Sequence, residues 1–482
     1  MSRLKNNSTK PRKNMIALKG GSYSLAITVI VLAILIAVNV FSSVMPATMT
    51  KFDISSSRLY SITSNTKVVV NALEKDVAIY WIVQSDKEDD IIETLLDKYD
   101  SLSKHITVVK KNPDVFPTFA AQYTDETVAN NSLVVECGDK SRYISYNDIY
   151  VTESNIYSYT YNTSFDGEGA ITSAIDYVTR DDLPKLYVLE GHGESSLPST
   201  FSDQLTKDNI ELDTISLLNV DEIPEDADAL MIYAPASDIS EEEKEMLSDY
   251  VEQGGKLFVT AGPVENGTLS NLYSLLADYG VEAVDGVVVE ADRDHYAFQR
   301  PYILMPDMAS SDITDPLIDE HYFPIIPIAQ GLNIVGQTNG ASVTSLLDTS
   351  DSAFSKADGY NITTYEKEDN DTDGPFSVAV SITTSGDGQL VWVSSSYFLD
   401  DMYNSYSSGA NIDIAMNAIN SMIGDTEAIA IRSKSLNYSY LTISDSTSSL
   451  LKVLMIGVFP LLFLGIGIAV VLIRRGLQNE TA

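Results

Sequence analysis

Two long uncharged runs, one near each end, limit this chain more than any other feature. Leu25–Val44, "LAITVIVLAILIAVNVFSSV", holds 20 residues without a charge, and a second apolar run extends from Val453 to Ile473 before stopping at Arg474-Arg475. A helix rising about 1.5 Å per residue needs about 20 apolar residues to cross a hydrocarbon core about 30 Å thick. Both runs meet that length. The first is longer than the 7–15 apolar residues usual in a signal peptide, and no small-x-small site follows it cleanly, so it reads as an uncleaved anchor. Lys452 borders the second run, where its long stem can reach the interface.

Charge orients the two spans. Of 31 Lys/Arg and 68 Asp/Glu in the chain, residues 1–45 hold 6 and none, and residues 450–482 hold 3 and 1. The intervening 46–449 therefore carry 22 basic against 67 acidic residues, a formal charge of −45. Basic flanks at both tips place both termini in the cytoplasm and residues 46–449 outside. So acidic a body is unsuited to nucleic acid, whose phosphates call for Lys and Arg. Cys137 is the single cysteine, so no intrachain disulfide forms, and its place in "SLVVECGDK" reads as a strand end.

At 482 residues the chain has room for two or three domains. After the first anchor, Thr63 or Ser64 is positioned to cap a helix over about 65–74, and Val77–Val83 reads as a buried strand. Asp89–Leu102 sets Ile91, Ile92, Leu95, Leu96 and Tyr99 on one helical face. His105–Lys110 is a further strand, "NPDVFPTFAAQY" a Pro-bounded turn with a short helix, and "SLVVECGDKSRYISYNDIY" a hairpin around Gly138-Asp139. The order β-α-β-α-β-β resembles a thioredoxin-like unit without the C-x-x-C that redox work requires. An amphipathic helix over Gly167–Arg180 follows, and Pro184 marks a boundary.

The next body alternates strands and helices: strand Leu186–Glu190, helix Ser199–Lys207, and strands Glu211–Leu217 and Ala229–Ala234. Then come the Ser240-capped helix "EEEKEMLSDYVEQ" and strand Lys256–Thr260. Such alternation means a parallel sheet with right-handed crossovers. Residues 281–375 give short apolar runs among polar insertions and are expected as added strands and loops. A strand opening "QLVWVSSSYFLDD" and a helix over Asn411–Gly424 close the body.

In a doubly wound sheet, ligands settle beyond the carboxyl ends of the strands. Gly191-His192-Gly193-Glu194 lies at such an end, and Asp400-Asp401 at another. These six residues are the candidate ligand or partner contacts. A turn is the plainer reading of "GHGE", with a cation site or catalysis as the alternatives. No nucleophile elbow, zinc pattern or P-loop occurs, so no catalytic residue, metal ligand or cofactor is assigned, and any ATP is hydrolysed by another chain. His105 is expected as a packed or surface residue, and His295 and His321 as surface or partner contacts.

Several stretches taken together resemble a known family. They are "RLYSITSNTKVVVNALEKDVAIYWIV", "LVVECGDKSRYISYNDIY" with "GEGAITSAIDYVT", "KLYVLEGHGESSL", and "IPEDADALMIYAPASDISEEEKEMLSDYVEQGGKLFV". In that order, between flanking apolar helices, the chain resembles the GldG-like auxiliary component of gliding-motility-type ABC transporters over nearly its full length. The resemblance implies a membrane-anchored α/β protein with a thioredoxin-like domain and then a glutamine-amidotransferase-like parallel-sheet domain outside the membrane. It also implies partnership with an ABC permease and a separate ATPase, and no catalytic residues to carry over. The expected organisation is a basic tail (1–21), a transmembrane helix (22–45), the thioredoxin-like domain (46–182) and the amidotransferase-like domain (183–430). A linker (431–449), a second transmembrane helix (450–473) and a short tail (474–482) complete it. The expected function is a non-catalytic auxiliary subunit whose acidic body is a platform for an extracytoplasmic substrate or partner. The alternative is an extracytoplasmic hydrolase or ligand-binding sensor using the Gly191–Glu194 loop.

Overall fold

The computed structural model describes residues 26–40, 59–155, 160–336, 338–424, 431, 433–436 and 452–479. The basic tail 1–21, both ends of the first apolar run and most of the linker 431–449 lie outside the described residues. The chain divides into two compact units, Met1–Ser435 and Leu436–Ala482.

In the first unit, Thr63 caps a helix over Ser64–Asn71 by accepting from the Thr66 amide. Asp89 caps Asp90–Leu102 by accepting from the amides of Ile91 and Ile92, and that helix buries Ile92, Leu95, Leu96 and Tyr99. Four strands follow the expected pattern: β1 (Val77–Ile82), β2 (Ile106–Lys111), β3 (Ser132–Cys137) and β4 (Lys140–Ile144). Their order is β2-β1-β3-β4, with β1 and β2 parallel and the other pairs antiparallel. The short helix expected after the Pro-bounded turn is a single 3-10 turn, Ala120–Gln122, which begins three residues after Pro117. A hairpin of β5 (Tyr150–Asn155) and β6 (Thr160–Phe165) leads into the helix Gly167–Thr179.

The larger sheet has ten strands. Its centre is β7 (Lys185–Leu189), β8 (Glu211–Ile215), β9 (Ala229–Tyr233), β10 (Lys256–Thr260) and the strand Gln389–Val393. These lie in the order β8-β7-β9-β10-(Gln389–Val393), with every adjacent pair parallel. That is a doubly wound order, whose direction of winding reverses at β7. The inner strands are buried on both faces and so read as continuous apolar runs. Alternation then sorts their side chains. Ala229, Met231 and Tyr233 face the core under helices Ser199–Lys207 and Ala410–Met422, while Leu230 and Ile232 face the core under Glu241–Glu252 and Ser270–Ala277. The outer strand β8 exposes Glu211 and Asp213, charges that discourage pairing with another chain at this edge.

Beyond Gln389–Val393 the sheet turns antiparallel through Ser377–Thr383, which pairs with Ser342–Asp348 and Gly331–Ile334. The hairpin 384–388 lies so close to the helix Glu241–Glu252 that a Cβ on Gly388 would stand 1.7 Å from the Val251 carbonyl oxygen.

In the second unit, a π-helical stretch at Val453–Val458 runs into the helix Phe459–Asn479. Val453–Val470 is long and apolar enough to cross a membrane, judged by length and composition. Among the described residues it is the one helix that passes that test. Ala26–Val40, inside the first apolar run, is an apolar helix of 15 residues.

Candidate functional site

The residues at the carboxyl ends of the parallel strands are held in place chiefly by buried charge. After β7 the chain makes the turn Gly191–Glu194, with φ of 128° at Gly191 and 72° at Gly193, values that favour glycine. Between them the His192 side chain turns inward and is 5% exposed. Its Nδ1 lies 3.0 Å from Glu194 Oε1, and its Nε2 lies 3.1 Å from Glu243 Oε2. Both ring nitrogens thus face carboxylate oxygens. Glu194 also accepts from the His192 amide at 2.7 Å, which closes the turn on itself.

Glu243 comes from the first turn of the helix Glu241–Glu252. It is the third helical residue of a capping box, accepting from the Ser240 amide while its own amide donates to the Ser240 hydroxyl. Burial pushes its carboxyl up, but the Ser240 amide and His192 outweigh that and hold it below the usual glutamate range. Its other oxygen, Oε1, is buried with no hydrogen-bond partner among the described residues.

The turn is also tied to β9. The His192 carbonyl accepts from the amides of Ala236 (3.1 Å) and Ser237 (2.9 Å) and from the Ser237 hydroxyl (2.9 Å). A Cβ on Gly193 would stand 3.2 Å from Ala236 Cβ. The crevice between β7 and β9, where a doubly wound sheet offers space to a ligand, is here spanned by these bonds.

The second pair of candidate residues belongs to the same end of the sheet but not to this cluster. Asp400 caps the short helix Asp401–Tyr406 by accepting from the Met402 amide at 2.9 Å. Asp401 accepts from the hydroxyls of Ser199 and Thr200 at the start of the helix after the Gly191–Glu194 turn. Tyr233, the last residue of β9, is pushed up to about 12 by burial and then by Asp400 and Asp401. Among the described residues, neither aspartate pairs with His192. The structure therefore joins His192 with Glu194 and adds Glu243, while Asp400 and Asp401 brace a neighbouring helix start.

Glu243 is the residue that sequence reasoning left inside a run of three first-turn glutamates. Its signal was its place three residues after Ser240, since a capping box turns that carboxylate back toward the helix start. The remaining histidines sit on acids or at a turn. His105 Nδ1 lies 2.8 Å from Asp76; His295 stands between Asp292 (3.2 Å) and Asp307 (3.3 Å); His321 ends a helix in the left-handed conformation. Among the described residues, no three His, Cys, Asp or Glu side chains are grouped to hold a metal ion.

Comparison with known proteins gives the following. Residues 183–418 match the family described as an ABC-type uncharacterized transport system, and residues 56–152 match a domain of unknown function. No curated protein matches the chain. Among solved structures the chain is similar to the mmIFT52 N-terminal domain, at 15% identity and a TM-score of 0.38, covering 49% of this chain and 97% of that one. It is also similar to a glutamine amidotransferase from Thermotoga maritima, at 7% identity and a TM-score of 0.28, covering 50% of this chain and 99% of that one. A third is PurLQS, also from Thermotoga maritima, at 8% identity and a TM-score of 0.26, covering 50% and 100%.

Proposed function

We propose, from the match of residues 183–418 to the family described as an ABC-type uncharacterized transport system, that the chain is a non-catalytic, membrane-anchored auxiliary subunit of an ABC transport complex. The family match is the observation that carries this reading. The segments 22–45 and 450–473 are its two anchors, and both tips lie in the cytoplasm. The thioredoxin-like region 46–182 and the amidotransferase-like region 183–430 form an acidic platform outside for a substrate or partner protein. Permease helices contact the anchors, and a separate ATPase works from the cytoplasmic side. GldG-like proteins are a functional analogy for this reading.

At the carboxyl end of the sheet, Gly191 and Gly193 offer exposed backbone, and Asp400 and Asp401 offer partly exposed carboxylates, as contacts for that partner. His192 and Glu194 hold the turn in shape. The buried Glu243 Oε1, without a partner among the described residues, favours a second reading in which this turn binds a ligand that supplies a donor.

Purification of the full-length chain from mild detergent tests the leading reading. A permease and a P-loop ATPase are expected to copurify in fixed proportion. Recovery of the chain alone, across several detergents and after gentle cross-linking, overturns it.

A further inference from the structure

Two distant stretches of the first unit, Ser61–Thr66 and Lys434, meet at one buried carboxylate. Glu168, in the first turn of the helix Gly167–Thr179, is 2% exposed. Its Oε1 accepts from the Thr63 amide (2.6 Å), the Thr63 hydroxyl (2.8 Å) and the Thr66 hydroxyl (2.8 Å). Its Oε2 accepts from Lys434 Nζ at 2.7 Å, and that same ammonium donates to the Ser61 carbonyl at 2.6 Å. Ser61–Thr66 is the first stretch described after the first apolar run, and Lys434 is among the last before the second. A short antiparallel pairing reinforces the junction, with Lys434 opposite Phe165 and Ser435 opposite Ser164 of β6. Tyr99 and Thr172 complete the buried surround: the Tyr99 hydroxyl donates to the Glu168 carbonyl (3.1 Å) and meets Thr172 Oγ1 (2.6 Å), which meets Thr66 Oγ1 (3.1 Å).

The helix that carries Glu168 grips both sheets farther along. Asn209, at the entry to β8, donates to the Ser173 carbonyl and to Asp176 Oδ2, each at 2.9 Å. Arg142 of β4 donates to Asn209 Oδ1 (2.6 Å) and to the Ser173 hydroxyl (3.0 Å), with its guanidinium over the Tyr177 ring. Lys207 reaches Asp166 at 2.9 Å, one residue before the helix begins.

We propose that Glu168 is a latch that ties the two membrane-proximal ends of the outer body to each other and to one helix, so that displacement of either end is passed to both sheets through that helix. The proposal rests on the membrane-anchored reading above. It goes beyond it in naming where the anchors' motion enters the body. A charge-assisted buried junction suits the role because it has few alternative arrangements: with Lys434 removed, the donors left to Glu168 among the described residues are the neutral groups of Thr63 and Thr66.

Hydrogen exchange on the full-length chain in detergent tests the latch. In Lys434→Met, amides of residues 60–66 are expected to exchange about tenfold faster, although the altered residue is some 370 positions away in sequence. Lys434→Arg is expected to restore most of the protection. Lys256→Met, a change elsewhere in the outer body, is expected to leave residues 60–66 as they were. Unchanged exchange at 60–66 in Lys434→Met overturns the latch, and so does an equal rise throughout β1, β7 and β9, which marks a general loss of stability. Copurification of a permease and ATPase is read separately, so failure of the transport reading shows in that experiment and failure of the latch in this one.

Discussion

At the scale of single residues, the His192 cluster shows what a motif conveys and what it withholds. Two glycines around a histidine after a strand mark a tight turn at the carboxyl end of a sheet, and the turn is there. The inward direction of the imidazole was not legible, because one of its partners, Glu243, lies 51 residues on and is brought close only by the crossover from β9. Removing the ring leaves two nearly buried carboxylates without this hydrogen-bond partner, a loss of about 1–3 kcal/mol for each buried group left unsatisfied. His192→Ala is therefore expected to lower the thermal midpoint of the outer body by several degrees, read by scanning calorimetry on the purified chain. If the midpoint holds while transport by an intact complex is lost, the ligand-binding reading of the turn displaces the structural one. Lys356 makes the same point. It lies in sequence that reads as a polar insertion, yet its side chain is fully buried and paired with Asp371 at 2.9 Å and with Glu368.

At the scale of elements, legibility followed the range of the pairing. Helices Ser199–Lys207 and Glu241–Glu252 and strands β7, β9 and β10 have local signals: caps, an apolar face, a continuous apolar run. Residues 281–375 lack them. There, Val287–Val289 pairs with Phe354–Lys356 and Asp307–Met308 with part of Ser342–Asp348, strands of two to seven residues whose partners are far off in sequence. Helix ends carry their own chemistry. Asp208, the residue that closes Ser199–Lys207, accepts from Gln204 (2.9 Å) and Asn420 (3.1 Å). Burial pushes its carboxyl up from its ordinary value of 3.8 to about 6, beyond what those bonds recover. A carboxyl raised on folding favours the native state fully below its unfolded value and loses that contribution as pH rises through its folded one. Stability from this group is thus expected to decline between about pH 4 and about pH 6. Glu243 and Asp371, both held low, act oppositely and lose their contributions as pH falls below their ordinary values of 4.5 and 3.8. Midpoints measured from pH 4 to pH 7 should show a smaller downward slope in Asp208→Asn than in the unaltered chain. An identical slope in the two would remove Asp208 as its source.

At the scale of the whole molecule, charge and hydropathy do what no single motif can. Val453–Val470 is an apolar helix with none of its residues buried, and every residue of Ala26–Val40 is exposed. Soluble proteins seldom leave so much contiguous apolar surface in water, so something apolar is needed around both helices, and lipid or permease helices meet that need. If both helices cross the bilayer, an even number of crossings puts the two tips on one side, and the basic residues at each tip decide which side. The body between them, at −45, then faces outward, away from the anionic cytoplasmic leaflet that would repel it. Protease added to intact cells should therefore cut within residues 46–449 while tags fused to either tip stay protected until the cells are opened. A tag lost from one tip alone would mean a single crossing, and the apolar stretch at that tip would need another cover. Both ends would then no longer approach Glu168 from one membrane surface. The ammonium of Lys434, which joins the Ser61 carbonyl to the Glu168 carboxylate and so ties both ends together, gives a physical reason to expect both tags to survive.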